Sequence, residues 1–497
     1  MAARESGSGP VSAASAVLTA VWPNLVAGRE AGPDARLPVL DPDDGSTVAE
    51  VGVAGAAEVE AALAAAARAT GRHSSWPADR RVEVLLRASR AIRSKSEDFA
   101  GLIAAEGVKT LREARMEVDR AAHTLALSAA AALQPAPDAA ACDLGARSRG
   151  WRAVLLREPV GVAVCITPFN DPLNLVAHKV GPALAAGNAV VVKPDPRTPL
   201  SALLLARVLL EAGVPEDRLS VLVGSATLVS HLVGDRRVRF VSFTGGRAIG
   251  ALVHRAAGTK RTLLELGGVC PTVVWEDADL DAVVPELVSG AFGVAGQNCL
   301  HVQRVLVHHR RYAELRERLV VAAGAVRLGP KADESTDMGP LIDVASQRRV
   351  AASVEHARRQ GATVLTGGAV EGAGYLPTLV TDVPAGAAVA TEEVFGPVTT
   401  IERVDDLAHC IRLSNAGDGG IQAGVFTFRA DVADALVAAL DVGGVVVGGT
   451  SDHRSDALPF GGTGSAGLGR EGVTFAAAAM SELKTVLHLP PQASTSR

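Results

Sequence analysis

Cys299 has the residue type and the surroundings of a catalytic nucleophile. It ends the segment Gly296-Gln-Asn-Cys299 and follows several small residues, so that a small molecule can approach its sulfur closely. A cysteine thiolate attacks electrophilic carbon and forms a covalent intermediate. The alternative, a small buried hydrophobic residue, suits the other four cysteines better. Because no two cysteines have the spacing of metal ligands, no metal site is predicted.

Two further side chains have the chemistry that such a nucleophile needs. Glu265 interrupts the apolar run Leu263-Leu-Glu-Leu266, and a carboxylate there either faces a cleft with a raised pKa or faces solvent. In the first case it suits a general base. Asn170 follows a predicted strand, and its amide either donates to a developing oxyanion or belongs to an ordinary turn.

Polar residues at other predicted strand ends indicate a ligand with hydroxyl or phosphate groups. Lys193 ends the strand Ala189-Val-Val-Val-Lys193, although a solvated strand end is the alternative. Thr244-Gly245-Gly246 lies between a strand and a helix, so its amides are able to face a pyrophosphate. The formal Gly-x-Gly-x-x-Gly match at Gly462-Thr-Gly-Ser-Ala-Gly467 is discounted, because no strand–turn–helix frame surrounds it.

The elements that must position these residues alternate between strand and helix. Over residues 161–266 short apolar runs alternate with helical patterns, which predicts a parallel sheet with crossover helices and a ligand site at the strand ends. Helices are predicted before it, over residues 56–68, 78–100 and 101–133. A second α/β unit is predicted from residue 271 to about residue 415.

Composition excludes several classes of protein. The 497 residues are 48% hydrophobic, which excludes disorder over the whole length, and five cysteines exclude a disulfide scaffold. A formal charge of −5 argues against nucleic-acid binding driven by bulk charge. No apolar run reaches the ~18 residues that span a bilayer. We therefore predict a cytoplasmic enzyme with a small-molecule substrate and no nucleic-acid or membrane partner.

Taken together, the motifs resemble the aldehyde dehydrogenase superfamily. They are Thr167-Pro-Phe-Asn170, Ala186-Gly-Asn-Ala-Val-Val-Val-Lys193-Pro, Phe243-Thr-Gly245, Leu264-Glu265-Leu-Gly-Gly268, Gly296-Gln-Asn-Cys299, Glu392-Glu393-Val-Phe395-Gly-Pro397, and Pro459-Phe-Gly-Gly462 with Gly467-Leu-Gly-Arg-Glu-Gly472. The resemblance covers about residues 38–487, and chance matches would not arrive in this order. Glu265 also precedes Cys299 by 34 residues, which fits the family's usual spacing.

The resemblance implies a reaction. Cys299 attacks the aldehyde carbon, while the Asn170 amide and the Cys299 backbone N–H hold the oxyanion of the thiohemiacetal. A hydride leaves to a nicotinamide, and Glu265 activates the water that hydrolyses the thioester to the acid. Glu393 holds the nicotinamide ribose and Phe395 packs near the nicotinamide.

The resemblance also implies a cofactor site. Its residues are Thr167, Pro168, Lys193, Asp195, Gly245, Glu393 and Phe395. Many members that prefer NAD carry Glu where this chain has Pro196, and loss of that carboxylate removes a group that repels the 2′-phosphate of NADP. We therefore predict that NADP is tolerated alongside NAD, unless Asp195 reaches the ribose instead.

The branch of the family that the chain resembles indicates a class of substrate. Ser451-Asp-His-Arg454-Ser-Asp is similar to the lactaldehyde and phosphonoacetaldehyde dehydrogenases, in which arginines near Arg120 and Arg454 hold an anionic substrate group. Asp171 and Asn298 stand where that branch carries positive charge. Two hypotheses stay open: a small phosphono- or hydroxy-aldehyde as substrate, or arginines that serve only in structural ion pairs.

The resemblance implies an α/β fold of three parts. A Rossmann-like NAD(P)-binding domain covers residues 16–142 and 160–270, and an α/β catalytic domain covers 271–455. A small β oligomerisation element covers 143–159 and 473–489, which implies a homodimer or homotetramer. Residues 1–15 and 490–497 are predicted to be disordered.

Three alternatives compete with hydrolytic aldehyde oxidation. An aldehyde dehydrogenase that acylates coenzyme A is one, although such members usually lack the acid at Glu265. A cysteine hydrolase is another, and it needs a histidine base such as His301, which on a helix would point away from Cys299. A non-catalytic family member is the third, and it would have lost the nucleophile or the base.

Overall fold

A computed structural model describes residues 21–32, 35–71, 76–134, 145, 147–384 and 386–489. The segments 1–15 and 490–497, with their predicted disorder, lie outside the described residues, as does Cys142. Over the described ranges, no helix combines the length and apolar character needed to cross a membrane.

Fifteen α-helices lie within the described residues. They are α1 Ala56–Ala69, α2 Ala78–Ser94, α3 Ser96–Glu106, α4 Leu111–Ala131, α5 Asn174–Ala185, α6 Leu200–Ala212, α7 Ala226–Gly234, α8 Arg247–Ala257, α9 Leu280–Phe292, α10 His309–Gly324, α11 Val344–Arg359, α12 Ala388–Thr391, α13 Leu407–Ser414, α14 Ala430–Ala439 and α15 Val473–Ala479. Short 3-10 turns cover Glu216–Arg218, Gly293–Gly296 and Gly464–Ala466.

The same part of the chain has 22 strands. They are β1 Val21–Trp22, β2 Asn24–Val26, β3 Arg29–Ala31, β4 Arg36–Leu40, β5 Thr47–Gly52, β6 Arg152–Pro159, β7 Val162–Ile166, β8 Ala189–Lys193, β9 Leu219–Val221, β10 Val238–Gly245, β11 Arg261–Leu266, β12 Pro271–Val274, β13 Arg304–His308, β14 Thr363–Thr366, β15 Val370–Glu371, β16 Gly374–Tyr375, β17 Thr378–Thr381, β18 Val398–Val404, β19 Gly420–Phe426, β20 Val442–Val447, β21 Gly467–Leu468 and β22 Ser481–His488.

The first large sheet has the order β21-β11-β10-β7-β8-β9-β2-β3. Its five central strands are parallel, and register pairs Ile166 with both Lys193 and Phe243, so the carboxyl ends of β7, β8 and β10 meet. Side chains of β7 alternate between two cores, with Cys165 on one face and Val164 on the other. Helices cover both faces, as a buried parallel sheet requires.

The second large sheet has the order β14-β17-β18-β13-β12-β19-β20. Only β14 runs antiparallel to its neighbour. The unit extends to Val447, beyond the predicted end near residue 415. After it the chain returns to the first sheet, where Gly467 of β21 pairs with Glu265 of β11.

The two long helices predicted from apolar periodicity, over residues 78–100 and 101–133, have other boundaries in the structure. The predicted helix 78–100 is broken at Lys95, and the next predicted helix is broken between Glu106 and Leu111. The α4 helix begins with a capping box: Glu113 N–H donates to Thr110 Oγ1 at 3.3 Å, and Thr110 N–H donates to the Glu113 carboxylate at 2.9 Å. This cap marks the start of α4, which apolar periodicity alone does not report.

Strands β6 and β22 form a separate two-stranded antiparallel ribbon. Apolar side chains on both strands are exposed, among them Val154, Leu156, Leu483 and Leu487. Part of the predicted hairpin over residues 143–159 lies outside the described residues, and the described strand begins at Arg152.

Candidate active site

A cavity of about 1290 Å³ lies where the carboxyl ends of the first sheet face the second unit. Helices α4 and α9 and the loops around Cys299 and Glu393 complete its walls. Every candidate residue named from the sequence lines it. They are Arg120, Thr167, Pro168, Asn170, Asp171, Lys193, Asp195, Gly245, Glu265, Asn298, Cys299, Glu393, Phe395 and Arg454.

Cys299 is half-buried at the wall of this cavity. Burial raises the pKa of its thiol well above the ordinary value, and the nearby Arg454 guanidinium opposes that rise. The Cys299 carbonyl accepts a hydrogen bond from the Cys270 thiol at 3.3 Å. Its backbone N–H donates to no described residue, so this donor remains available to a ligand.

Glu265 lies near the end of β11, and both of its carboxylate oxygens are buried without a hydrogen-bond partner among the described residues. A Cβ at Gly461 would lie 2.8 Å from Glu265 Oε1, so a glycine is needed beside the carboxylate. Burial, and then the negative charge of Glu471, raise the pKa of Glu265 well above its usual range. The raised pKa favours the protonated form of this side chain over the ionised one.

Asn170 is buried directly after β7. Its amide makes no hydrogen bond with the described part of the chain, although it lines the same cavity as Cys299. A buried amide without a partner is costly unless a ligand or water satisfies it. The arrangement suits an amide that donates to a bound oxygen.

Several buried polar atoms at the end of the cavity nearer the first sheet lack partners among the described residues. They are Thr167 Oγ1, Thr244 Oγ1 and Glu393 Oε1. Burial raises the pKa of Glu393 to about 7, and a Cβ at Gly267 would lie 2.0 Å from Glu393 Oε2. Helix α8 begins at Arg247 beside Gly245, so its N-terminal dipole reaches the cavity. These groups fit a ligand that carries hydroxyls and phosphates, as a nicotinamide nucleotide does.

Asp195 is bound to Arg197. Arg197 Nε and Nη2 donate to the two Asp195 oxygens at 2.9 Å each, and Arg197 Nη1 donates to Asp343 at 2.9 Å. The same guanidinium lies 4.4 Å from the centre of the Phe169 ring. Asp195 lines the cavity with its charge paired to Arg197, and its contact with a ribose stays a prediction. Arg197 was absent from the sequence-based candidates, although it follows Pro196 directly.

The two arginines predicted to hold an anion are both in ion pairs. Arg120 Nη2 donates to Asp456 at 2.9 Å, and Arg454 Nη2 donates to Glu471 at 2.7 Å. The other nitrogens of both arginines, the buried Arg454 Nε included, make no hydrogen bond with described residues, and the Arg454 guanidinium lies 3.9 Å from the Phe460 ring centre. Arg120 therefore keeps donors that face the cavity.

Asp171 and Asn298 have partners within the chain. Burial would raise the pKa of Asp171, but Lys109 and then Arg120 lower it. Lys109 forms ion pairs with both Asp171 and Glu117, and its Nζ lies 2.7 Å from Glu117 Oε2. Asn298 Oδ1 accepts the Leu300 N–H at 2.6 Å. Sequence reasoning missed Lys109 and Glu117. Glu117 could have been found, because it places a carboxylate on the apolar face of α4.

His301 does not serve Cys299. It lies outside any helix, and its Nε2–H donates to the Ala291 carbonyl at 2.9 Å. Burial lowers its pKa to about 4. The hydrolase alternative therefore lacks this base. Among the residues that the structure describes, no group of three or more His, Cys, Asp or Glu side chains could hold a metal ion.

Comparison with known proteins agrees with this geometry. Residues 29–486 match the aldehyde dehydrogenase family. Aspartate-semialdehyde dehydrogenase 1 of Pseudomonas canavaninivorans is 41% identical, over 91% of this chain and 96% of the relative. The 3-sulfolactaldehyde dehydrogenase of Priestia megaterium is 38% identical, over 91% and 94%. The chain belongs to the aldehyde dehydrogenase family, and the predicted enzyme class is confirmed.

A solved structure extends the likeness to the fold. Glyceraldehyde-3-phosphate dehydrogenase GapN of Methanocaldococcus jannaschii, complexed with NADP, superimposes with a TM-score of 0.88. It is 32% identical, and the match covers 92% of this chain and 99% of that one. The predicted α/β fold is confirmed.

Proposed function

We propose that this enzyme uses NAD or NADP to oxidise a small aldehyde that carries an anionic group to the carboxylic acid. The observation that carries the proposal is one cavity that contains a half-buried Cys299, an unpartnered Glu265 and an arginine with unused donors. The relatives support it, since aspartate semialdehyde, 3-sulfolactaldehyde and glyceraldehyde 3-phosphate, named in these relatives, are all anionic aldehydes.

The side chains divide the work of the reaction. The Cys299 sulfur attacks the aldehyde carbon, and the Asn170 amide with the Cys299 N–H stabilises the oxyanion. The positive charge of Arg454 favours the thiolate that this attack needs. A bound nicotinamide supplies the hydride acceptor that turns the thiohemiacetal into a thioester. Glu265, once ionised, takes a proton from the water that hydrolyses the thioester.

Arg120 is the residue proposed to bind the anionic group of the substrate. Replacing Arg120 with Met is expected to lower kcat/KM for an anionic aldehyde by about 10- to 100-fold, because charge-assisted hydrogen bonds are lost. A neutral aldehyde of the same length should change by less than about threefold. Steady-state kinetics with both aldehydes measures the ratio.

Arg112 supplies the matched control for this prediction. It lies on the same helix and lines the same cavity, but its partner Asp337 is 3.8 Å away. An Arg112→Met variant also removes one positive charge from the cavity wall, but it keeps the proposed contact between Arg120 and the anionic group of the substrate. It should therefore change kcat/KM for the two aldehydes by about the same factor. Equal losses for both aldehydes in the Arg120 variant would instead leave Arg120 with a purely structural role.

Arg197 is proposed to decide how NADP is tolerated. By neutralising Asp195, it removes a charge that would repel a 2′-phosphate. An Arg197→Met variant is expected to raise the ratio of the NADP dissociation constant to that of NAD by about tenfold or more. Equilibrium binding followed by protein fluorescence measures both constants. Asp343→Asn, which keeps the Asp195 contact, is the control, and an unchanged ratio in Arg197→Met contradicts the proposal.

We also propose an assembly, a division into domains and a location for this protein. The exposed apolar side chains of the β6–β22 ribbon support its role as the oligomerisation element, and light scattering of the purified chain distinguishes a dimer or tetramer from a monomer. The two large sheets support a cofactor domain over 16–142 and 160–270 and a catalytic domain over 271–455. We propose a cytoplasmic location from composition alone.

A further inference from the structure

The backbone just before Cys299 adopts a left-handed conformation over three consecutive residues. Val294, Ala295 and Gly296 have φ values of 53°, 52° and 64°. A β-branched residue such as Val294 adopts this region only at a cost in conformational energy. The backbone of Gly396 packs closely against this turn, since a Cβ at Gly296 would lie 2.3 Å from the Gly396 carbonyl oxygen. The turn therefore needs contacts that hold it.

Glu113 of α4 supplies one of these contacts. The Val294 N–H donates to Glu113 Oε1 at 2.8 Å, across 181 residues of sequence. The other oxygen, Oε2, accepts from Thr110 N–H at 2.9 Å and from Thr110 Oγ1 at 3.0 Å. The carboxylate is thus fixed at the N-terminus of α4 and presents its remaining oxygen to the strained residue.

Gln297 holds the other end of the turn. Its Nε2 donates to the Val294 carbonyl at 3.2 Å and to the Pro340 carbonyl at 3.1 Å, while its Oε1 accepts from Ile342 N–H at 3.0 Å. The Gln297 side chain bonds the carbonyl of Val294, whereas the Val294 N–H has Glu113 as its acceptor. Release of that N–H would let Val294 leave the left-handed region.

We propose that Glu113 is a positioning residue that holds the left-handed turn and thereby aims the thiol and the backbone N–H of Cys299. The proposal rests on the proposed role of Cys299 as nucleophile. Asn170, the other proposed oxyanion donor, follows β7 and is not part of this turn. A shift of the turn therefore separates two donors that must act on one oxygen, and a displacement of ~1 Å at a reacting centre can reduce the rate by roughly 100-fold.

The test combines Glu113→Ala with Val294→Gly. Glu113→Ala is expected to lower kcat by about 10- to 100-fold and to slow alkylation of the Cys299 thiol by iodoacetamide, with nucleotide affinity unchanged. Adding Val294→Gly should restore most of both rates, because glycine adopts a positive φ without the penalty of a Cβ. Glu113→Gln keeps an oxygen for the Val294 N–H but turns an NH2 group toward the Thr110 N–H, so its activity should lie between those of the unmodified enzyme and Glu113→Ala.

Thr110→Ala separates the turn from the helix cap. It removes the hydroxyl that accepts from the Glu113 N–H and donates to Glu113 Oε2, but it leaves the carboxylate with the Thr110 N–H and the Val294 N–H as donors. If Glu113→Ala and Thr110→Ala have the same kcat, or if Val294→Gly fails to restore the double variant, the proposal is wrong. Failure of the proposed function is a different result: Cys299→Ala would then still oxidise aldehyde, whatever the Glu113 variants do.

Discussion

Replacing Cys299 with alanine is expected to lower kcat for aldehyde oxidation by at least about 1,000-fold, because the variant lacks the thiol that forms the covalent intermediate. The thiol lines the cavity, and Arg454 opposes the effect of burial on its pKa. Since that pKa is raised, the thiolate fraction and the rate of thioester formation should increase with pH. Nucleotide reduction, followed by absorbance with a panel of anionic and neutral aldehydes, measures the loss.

Cys270→Ser is the matched control for this substitution. Cys270 is buried beside Cys299 and donates its thiol hydrogen to the Cys299 carbonyl. A serine hydroxyl can make the same hydrogen bond, so this variant should keep most of the activity. Nucleotide binding should be normal in both variants. Turnover by Cys299→Ala within about tenfold of the unmodified enzyme would refute the nucleophile assignment.

Replacing Glu265 with glutamine is expected to stop the reaction at the thioester. The first turnover should still give a burst of reduced nucleotide, one per active site, while steady-state turnover falls by about 100- to 10,000-fold for lack of a general base. Mass spectrometry of the quenched enzyme should show the acyl group on Cys299. A variant without a burst would place Glu265 in thioester formation instead of hydrolysis.

The pH dependence provides an independent test of Glu265. Burial and Glu471 raise its pKa, so the fraction of ionised carboxylate, and with it the rate of hydrolysis, increases as pH rises through that value. Glu265→Gln should lose this dependence. Added coenzyme A distinguishes the alternative chemistry: if it accelerates the unmodified enzyme and leaves as an acyl thioester, the protein acylates coenzyme A instead of hydrolysing the intermediate.

The sequence predicted the candidate nucleophile, base and amide because each depends on a local pattern. Glu265 stands out by interrupting an apolar strand, Asn170 because it follows a strand, and Lys193 because it ends one. Parallel strands place their carboxyl ends at one edge, so these side chains had to lie close together. The cavity contains all of them.

The charged partners were not predictable in this way. Arg120 meets Asp456 across 336 residues, and Arg197 meets Asp343 across 146. No periodicity relates such pairs, because their distance depends on how the second unit packs against the first sheet. The sequence therefore left open whether the arginines bind a ligand or a carboxylate, and the structure shows that each contacts at least one carboxylate.

By itself the sequence determined the family and the parallel sheet and predicted the candidate reacting groups, since local residue patterns set strand ends and the residues near them. Only the tertiary structure decided how those groups are restrained. The left-handed turn before Cys299 is strained for its own residues, and Glu113 on a distant helix accepts the Val294 N–H within it. A conformation that local energetics disfavour is specified by packing, which no stretch of sequence contains alone.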